Sequence, residues 1–305
     1  MELYRKHRPA AMKTVVGNAQ TLQSIESMFS RPDHPHSFLL SGPPGCGKTT
    51  IAYIMAKMVG CTNENIVENN SGNFRGIDTI RDIDRQMRFR PIGGSKVRVF
   101  IVEEVHKLTQ DAQEALLKPI ENCPEYCYFV FTTTNTEKIN TALKTRFVHF
   151  VVESLSDAQI KTIIERILKR ENKTLDPKIL NKVVGSAGGS ARRAISYLEV
   201  VLSLNGDADL IPEDIETQAI NLCQLLMKRP TPNWSEVAAM LLNMKDDAEQ
   251  VRRSVLGYMR AVLLKGKNPR GYVLMTSFAS NYYDTGNAGL AMSCYEAITS
   301  LEDMK

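Results

Sequence analysis

A glycine-rich run and a pair of carboxylates carry the chemistry this sequence offers. The run is SGPPGCGKTT at 41–50, where Gly42-x4-Gly47-Lys48-Thr49 follows an apolar stretch and leads into the helical pattern TTIAYIMAKMV. Glycines let consecutive backbone N–H groups converge on phosphate oxygens, and a helix N-terminus adds partial positive charge there. In such a loop Gly42, Pro43, Pro44, Gly45, Cys46, Gly47 and Thr50 form the cradle. Lys48 reaches the β- and γ-phosphates, and Thr49 offers a hydroxyl to Mg²⁺. The pair is Glu103-Glu104, at the end of the apolar run VRVFIV. One carboxylate beside a phosphate loop can face Mg²⁺ and its waters, and the next can polarise an attacking water. Glu103 takes the first role on this reading and Glu104 the second. The plainer alternative is an acidic first turn for a helix starting near His106, where carboxylates suit the helix dipole.

These groups need a frame. Apolar, β-prone runs at 37–41, 97–102, 126–134 and 147–152, with a shorter one at 65–70, alternate with helical patterns. Runs apolar on both faces and separated by helices predict a parallel sheet covered on both sides, hence an α/β domain. After Val152 the β pattern stops. SLSDAQIKTIIERILKRENK opens with a serine-aspartate cap and continues at helical spacing, and further helices are expected near 176–185 and 190–203. From about 213 the pattern is helical again, with breaks at 229–233 and 267–271. The expected division is 1–152, a small helical domain at 153–212, and a third, all-helical domain at 213–305.

Composition is ordinary for a globular chain of 305 residues, with 43% apolar and 24% charged residues. No uncharged apolar run is long enough to span a bilayer, which takes about 18 residues or more, and the N-terminus lacks an apolar signal core. A cytosolic protein is expected, without a membrane partner. The six cysteines lack metal-ligand spacing; Cys123 and Cys127 lie close, but no second Cys/His pair completes a zinc set. They read as free thiols. Net charge is +4, and residues 75–98 alone hold seven Lys/Arg against three Asp, an excess equal to that of the whole chain. A polyanion would feel that segment.

Taken in order, these motifs resemble the clamp-loader ATPases of the AAA+ class, such as the bacterial τ/γ subunit, replication factor C small subunits and phage loaders. The resemblance covers about residues 3–203. It implies an α/β P-loop AAA+ module with a five-stranded parallel sheet, a helical lid and a C-terminal helical collar, and it implies ATP and Mg²⁺. LYRKHRP followed by VVGN is similar to the segment that lies against adenine, making Arg8, Pro9, Val15, Val16 and Gly17 base and ribose neighbours. The strand FVFTTTNTEKI resembles the sensor-1 strand, with Thr134 at the matching position and Asn135 beside it. ALKTRFVHF stands where the family has Ser-Arg-Cys; Thr145-Arg146-Phe147 keeps the arginine, which in the family reaches a neighbouring subunit's γ-phosphate. GGSARRAI resembles the sensor-2 element, with Arg192 approaching the nucleotide and Arg193 facing solvent. Lys118 matches a basic residue that couples DNA contact to the catalytic glutamate; a solvated helix lysine is the alternative.

The basic segment also resembles the family, whose helix here lines a spiral around duplex DNA. Arg75, Gly76, Ile77, Arg81, Arg85 and Arg88 become backbone contacts, with Arg81, Arg85 and Arg88 on one face and Ile80, Ile83 and Met87 on another. The alternative is a helix laced by Asp78, Asp82 and Asp84 in ion pairs. The τ/γ zinc module is absent, since no cysteine occurs from 62 to 122, and no long C-terminal extension is expected. The layout thus resembles a minimal loader subunit. The implied function is ATP-driven loading of a sliding clamp onto primer-template DNA, within a pentameric ring or spiral of subunits. Two other readings are an AAA+ DNA-remodelling ATPase without a clamp and an ATP-gated subunit that does not hydrolyse.

Overall fold

The computed structural model describes residues 3–71, 76–203, 215–244, 247–266 and 268–303. The chain forms two compact units, 1–208 and 209–305. Five parallel strands run through the first: β1 (Ser37–Ser41), β2 (Ile66–Asn70), β3 (Arg98–Glu103), β4 (Cys127–Thr133) and β5 (Val148–Val151), in spatial order β2-β3-β4-β1-β5. Each lies within a residue or two of its apolar run, because both faces of the central strands are covered. Phe38, Leu40, Val99, Ile101 and Val130 join one core with Ile51 and Met55 of α3 (Lys48–Met58). Leu39, Phe100, Val102, Phe129 and Phe131 alternate into a second core, with Ile80 and Ile83 of α4 (Ile77–Met87) and Leu116 of α5 (Gln110–Glu121). Side chains of a strand point to opposite faces in turn, so one apolar run supplies both layers.

Short α1 (Leu3–Lys6) and α2 (Ala19–Phe29) precede the sheet, and α6 (Thr141–Lys144) lies between β4 and β5. Three helices then form the lid-like bundle: α7 (Asp157–Arg170), α8 (Pro177–Ser186) and α9 (Ala191–Ser203). Ser156 caps α7 in a reciprocal box with Gln159, as serine-aspartate before a helical pattern predicts, and Ile160, Ile164 and Ile167 bury its inner face. Asp176 accepts from Lys178 N at the start of α8, where Pro177 fits the first turn.

One expectation changes. The turn after Glu104 is a 3-10 turn, Val105–Lys107, and α5 starts only at Gln110, capped by Thr109. Leu108 is extended, so a new cap is needed before the helix. Glu104 itself is left-handed, at φ 53 and ψ 46. It therefore does not sit in a helical first turn, and a dipole partner is not what its position makes it.

The second unit holds α10 (Ile215–Leu226), α11 (Trp234–Asn243), α12 (Ala248–Lys265), α13 (Pro269–Ser277) and α14 (Gly286–Glu302) around a core that includes Leu222, Val251, Val255, Phe278 and Cys294. Among the described residues no helix is long and apolar enough to cross a membrane. The buried Glu249 carboxylate accepts from Arg252 Nη2 at 2.7 Å and Nε at 2.8 Å, from Arg253 Nε at 3.1 Å and from Tyr282 N at 2.9 Å. The Arg252 hydrogen bonds foremost pull Glu249 down to about 2, against its burial. A carboxylate depressed on folding stabilises the fold above its unfolded pKa, and that contribution is lost as pH falls through the folded value. The second unit should therefore lose stability from about pH 4.5 down to about 2, and Glu249→Gln should be less stable at neutral pH with a flatter acid limb. Trp234, the single tryptophan, lies in this unit and reports its unfolding. Acid limbs that coincide in wild type and variant would refute the assignment.

Candidate nucleotide site

The phosphate loop leaves β1 at Ser41 and enters α3 at Lys48. Its path is set by close backbone approach. Gly42 has φ 150, and a Cβ there would lie 1.9 Å from the Val152 carbonyl oxygen; at Gly45, with φ 76, it would lie 2.0 Å from Ser190 Oγ. The second position matters for coupling, because Ser190 directly precedes α9 and Arg192 N donates to Gly45 O at 3.4 Å. Lys48 is buried and its ammonium donates to the carbonyls of Gly42 at 2.8 Å and Pro43 at 2.7 Å. An ammonium has three donors, so one remains for a phosphate oxygen. Burial above all pushes Lys48 below its ordinary pKa; Glu104 and Glu103 oppose this and Arg192 adds to it.

β3 runs beside β4, which runs beside β1, so the ends of all three meet. Thr49 Oγ1 donates to Glu103 Oε1 across that junction. A hydroxyl and a carboxylate are hard oxygen donors, so the pair fits Mg²⁺. Glu103 is one methylene longer than the aspartate common at such places, and it still reaches Thr49. Beside it, Glu104 Oε2 accepts from Thr134 Oγ1 at 3.0 Å, one residue past the end of β4.

A cavity of about 750 Å³ opens on these groups. Its phosphate end is lined by Pro44, Gly45, Cys46, Gly47, Lys48, Thr49 and Thr50, with Glu103, Glu104 and Arg192 across from them. Arg8, Pro9, Val15 and Val16 line it from the N-terminal segment. The volume lies in the range of small-molecule sites, about 300–1,000 Å³. The other expected residues lie elsewhere. Gly42 and Pro43 stand behind the loop as acceptors for Lys48. Gly17 packs on Leu155, 2.5 Å from where its Cβ would be. The Asn135 side chain accepts from Glu137 N and Lys138 N, which ties it into a turn. Arg146 pairs with Glu121 at 2.7 Å, both about half exposed. Lys118 is exposed at the end of α5, and the partners of Glu104 are Thr134, His106 and Thr132.

On α4 the division of faces is as expected, with Ile80, Ile83 and Met87 buried and the arginines outside. Each arginine is also paired: Arg81 with Asp78 at 2.9 Å, Arg85 with Asp82 at 2.8 Å and Arg88 with Asp84 at 2.7 Å. Gly76 is exposed and Ile77 half-buried at the start of the helix, and Arg75 lies outside the described residues. Arg193, expected to face solvent, is half-buried, and its backbone N–H donates to Ser190 Oγ at 3.3 Å, capping the first turn of α9.

The family described as DNA polymerase III, delta subunit, matches residues 65–156. The Replication factor C small subunit of Methanocella arvoryzae is 32% identical over 217 residues, covering 70% of this chain and 67% of that one. The DNA polymerase III subunit gamma/tau of Mycobacterium tuberculosis is 31% identical over 232 residues, 68% of this chain and 40% of the relative. The chain belongs to the clamp-loader family of AAA+ ATPases. It spans well under two thirds of the mycobacterial relative it matches. The solved Thermotoga maritima RuvB Holliday junction branch migration motor superposes with a TM-score of 0.55 at 20% identity, covering 77% of this chain and 85% of that one, a likeness of fold.

Within this clamp-loader chain, several site residues were not singled out by sequence. Tyr4 lines the cavity and lies under the Arg192 guanidinium, 5.2 Å from its ring centre. Arg8 stacks over Tyr53 of α3 at 5.0 Å, and Tyr53 in turn donates to Glu68. Buried His7 contacts Glu171 at 2.5 Å. Ile163, Arg166, Ile167 and Arg170 form one face of α7 on the cavity. Their three- and four-residue spacing marked a helix face, but not what it would face. His106, two residues past Glu104, contacts its carboxylate at 3.3 Å.

Glu104 shares positive φ with Asn18 and Asn172 among the described non-glycine residues, and asparagine tolerates that region far better than glutamate. Glu104→Gly should therefore raise the urea midpoint, by about 1 kcal/mol of stability once glycine's entropy cost is deducted, although the carboxylate is gone. An unchanged or lower midpoint would show that no strain is held there.

Proposed function

We propose that this chain is the ATP-hydrolysing subunit of a sliding-clamp loader. The observation that carries the reading is the meeting of three strand ends. The phosphate loop after β1 and the carboxylates at the end of β3 line one end of a cavity that the N-terminal segment and α9 also line, and Thr134 after β4 donates to Glu104 there. On this reading the backbone of 44–49 and Lys48 bind the phosphates. Mg²⁺ held by Thr49 and Glu103 would stabilise charge on the β- and γ-oxygens. Glu104 takes a proton from water as the water oxygen bonds to the γ-phosphorus. The bond from that phosphorus to the bridging oxygen breaks, and ADP leaves with the electron pair.

Arg146 would act on the nucleotide of an adjoining subunit. Its partner in this chain is an exposed carboxylate, and such surface pairs are worth roughly 0–1 kcal/mol, so exchanging Glu121 for a γ-phosphate costs little. The same reasoning covers α4, whose three exposed ion pairs can give way to DNA phosphates that present denser charge. Arg192 touches both the cavity and Tyr4, and its backbone meets the phosphate loop, so nucleotide binding would be felt by the helical bundle of 153–212. The unit from about 213 would serve as the collar that joins subunits, in a pentameric ring or spiral.

ATP turnover by the assembled loader should rise only when primer-template DNA and clamp are present together. Stimulation by DNA alone would favour a remodelling ATPase without a clamp, and zero turnover would leave an ATP-gated structural subunit. Glu104→Gln should trap bound ATP. Arg146→Ala should keep ATP affinity in its own site and lower hydrolysis next door, by about 10³-fold or more; a lone monomer as fast as the assembly would contradict that role. Arg85→Ala should weaken DNA binding for all sequences alike and reduce the salt slope by about one, and a sequence-dependent loss would speak against backbone tracking.

A further inference from the structure

The ring of His106 stands between two elements of the site. Its Nδ1 lies 3.3 Å from Glu104 Oε2 and 3.0 Å from Thr133 Oγ1, the last residue of β4, and the side chain is about one-tenth exposed. The partners of Thr133 reveal where the proton sits. Thr133 Oγ1 donates its single hydrogen to Asn135 O at 3.0 Å and accepts from Asn135 N at 3.1 Å. Toward His106 it can then only accept. The hydrogen is then on Nδ1 and is donated to Thr133 Oγ1, with Glu104 Oε2 3.3 Å from the same nitrogen. Burial foremost pushes the pKa of this imidazole down, against the pull of Glu104.

The surroundings hold that ring still. Lys107 N donates to Glu104 O at 2.8 Å and Leu108 N to Val105 O at 3.2 Å, closing the turn that carries His106, and Thr133 is fully buried. Glu104 Oε2 thus accepts from Thr134 Oγ1 and lies 3.3 Å from the His106 ring nitrogen, while among the described residues no hydrogen bond reaches Oε1. A glutamate has a flexible stem and would otherwise sample several rotamers. Resting on the ATPase reading above, we propose that His106 is a positioning residue for Glu104. With Thr134 it fixes Oε2 to the end of β4, and so leaves Oε1 as the oxygen that takes the water proton. Glu104 remains the group that touches the reacting atoms. His106 makes its carboxylate follow β4, whose end also carries Thr134.

The test compares the wild type, His106→Ala and His106→Asn in the assembled loader with ATP, Mg²⁺, primer-template DNA and clamp. His106→Ala should lower kcat about tenfold or more, as removal of a group that orients a reacting side chain does. Its ATP affinity should stay within about twofold of wild type, because the ring makes no contact with the phosphate loop. Asparagine places an amide N–H near the Nδ1 position and should recover most of the rate. In a Glu104→Gln background, His106→Ala should cost nothing further. The inference is overturned by an unchanged kcat, by a further loss in the Glu104→Gln background, or by equal falls in kcat and ATP affinity with a lowered unfolding midpoint. If the wild type hydrolyses no ATP at all, the ATPase reading falls and takes this inference with it. If the wild type turns over and His106→Ala matches it, only this inference falls.

Discussion

Parallel pairing of β3, β4 and β1 is the constraint on which the site depends. Parallel strands bring all their carboxyl ends to the same edge, so whatever follows each strand becomes a neighbour of whatever follows the next. Ser41 lies opposite Thr133 in register, and Asn70 opposite Glu103. From that register follow the contact of Thr49 with Glu103 and that of Thr134 with Glu104, between residues 54 and 30 positions apart in the chain. The pairing is held by cores on both faces. Neither could be weakened without moving the strand ends, because interiors this closely packed transmit displacement rather than absorb it.

Charge at the site is arranged around one buried cation. Lys48 is taken out of water and partly compensated by two loop carbonyls and two nearby carboxylates. A buried ammonium without a full partner is costly, which suits a position meant to receive phosphate. The N-terminal segment adds a second kind of contact. Tyr4 meets Arg192 on α9, Arg8 meets Tyr53 on α3, and both line the same cavity. A short stretch of chain thereby touches the helical bundle and the phosphate-loop helix together. Cation–π contacts of this kind are worth about 0.5–2 kcal/mol.

The exposed cations behave differently. Arg81, Arg85, Arg88 and Arg146 all have carboxylate partners within the chain and stand largely in water. Such pairs keep the arginines ordered and keep the free surface from presenting bare positive charge. They are weak enough that a phosphate can take the carboxylate's place. The ion pairs on α4 and its availability to a polyanion are therefore compatible descriptions of one surface.

The alternation of apolar runs with helical patterns determined the five strands, and the glycine and lysine spacing determined the phosphate loop, because both signals are local and repeat with the period of the element that carries them. The serine cap of α7 and the buried stripe of α4 were legible for the same reason. Proximity was not. Sequence could not say that Ile163 and Arg166 would face a nucleotide cavity, or that Asn135 would spend its side chain on a turn. Nor could it show that Glu104 adopts a left-handed backbone, or that His106 bonds Thr133 while lying against the Glu104 carboxylate. These depend on strand register and on the angle at which α7 and α9 meet the loop. Contacts between residues far apart in the chain set both, and no short window of sequence contains those contacts.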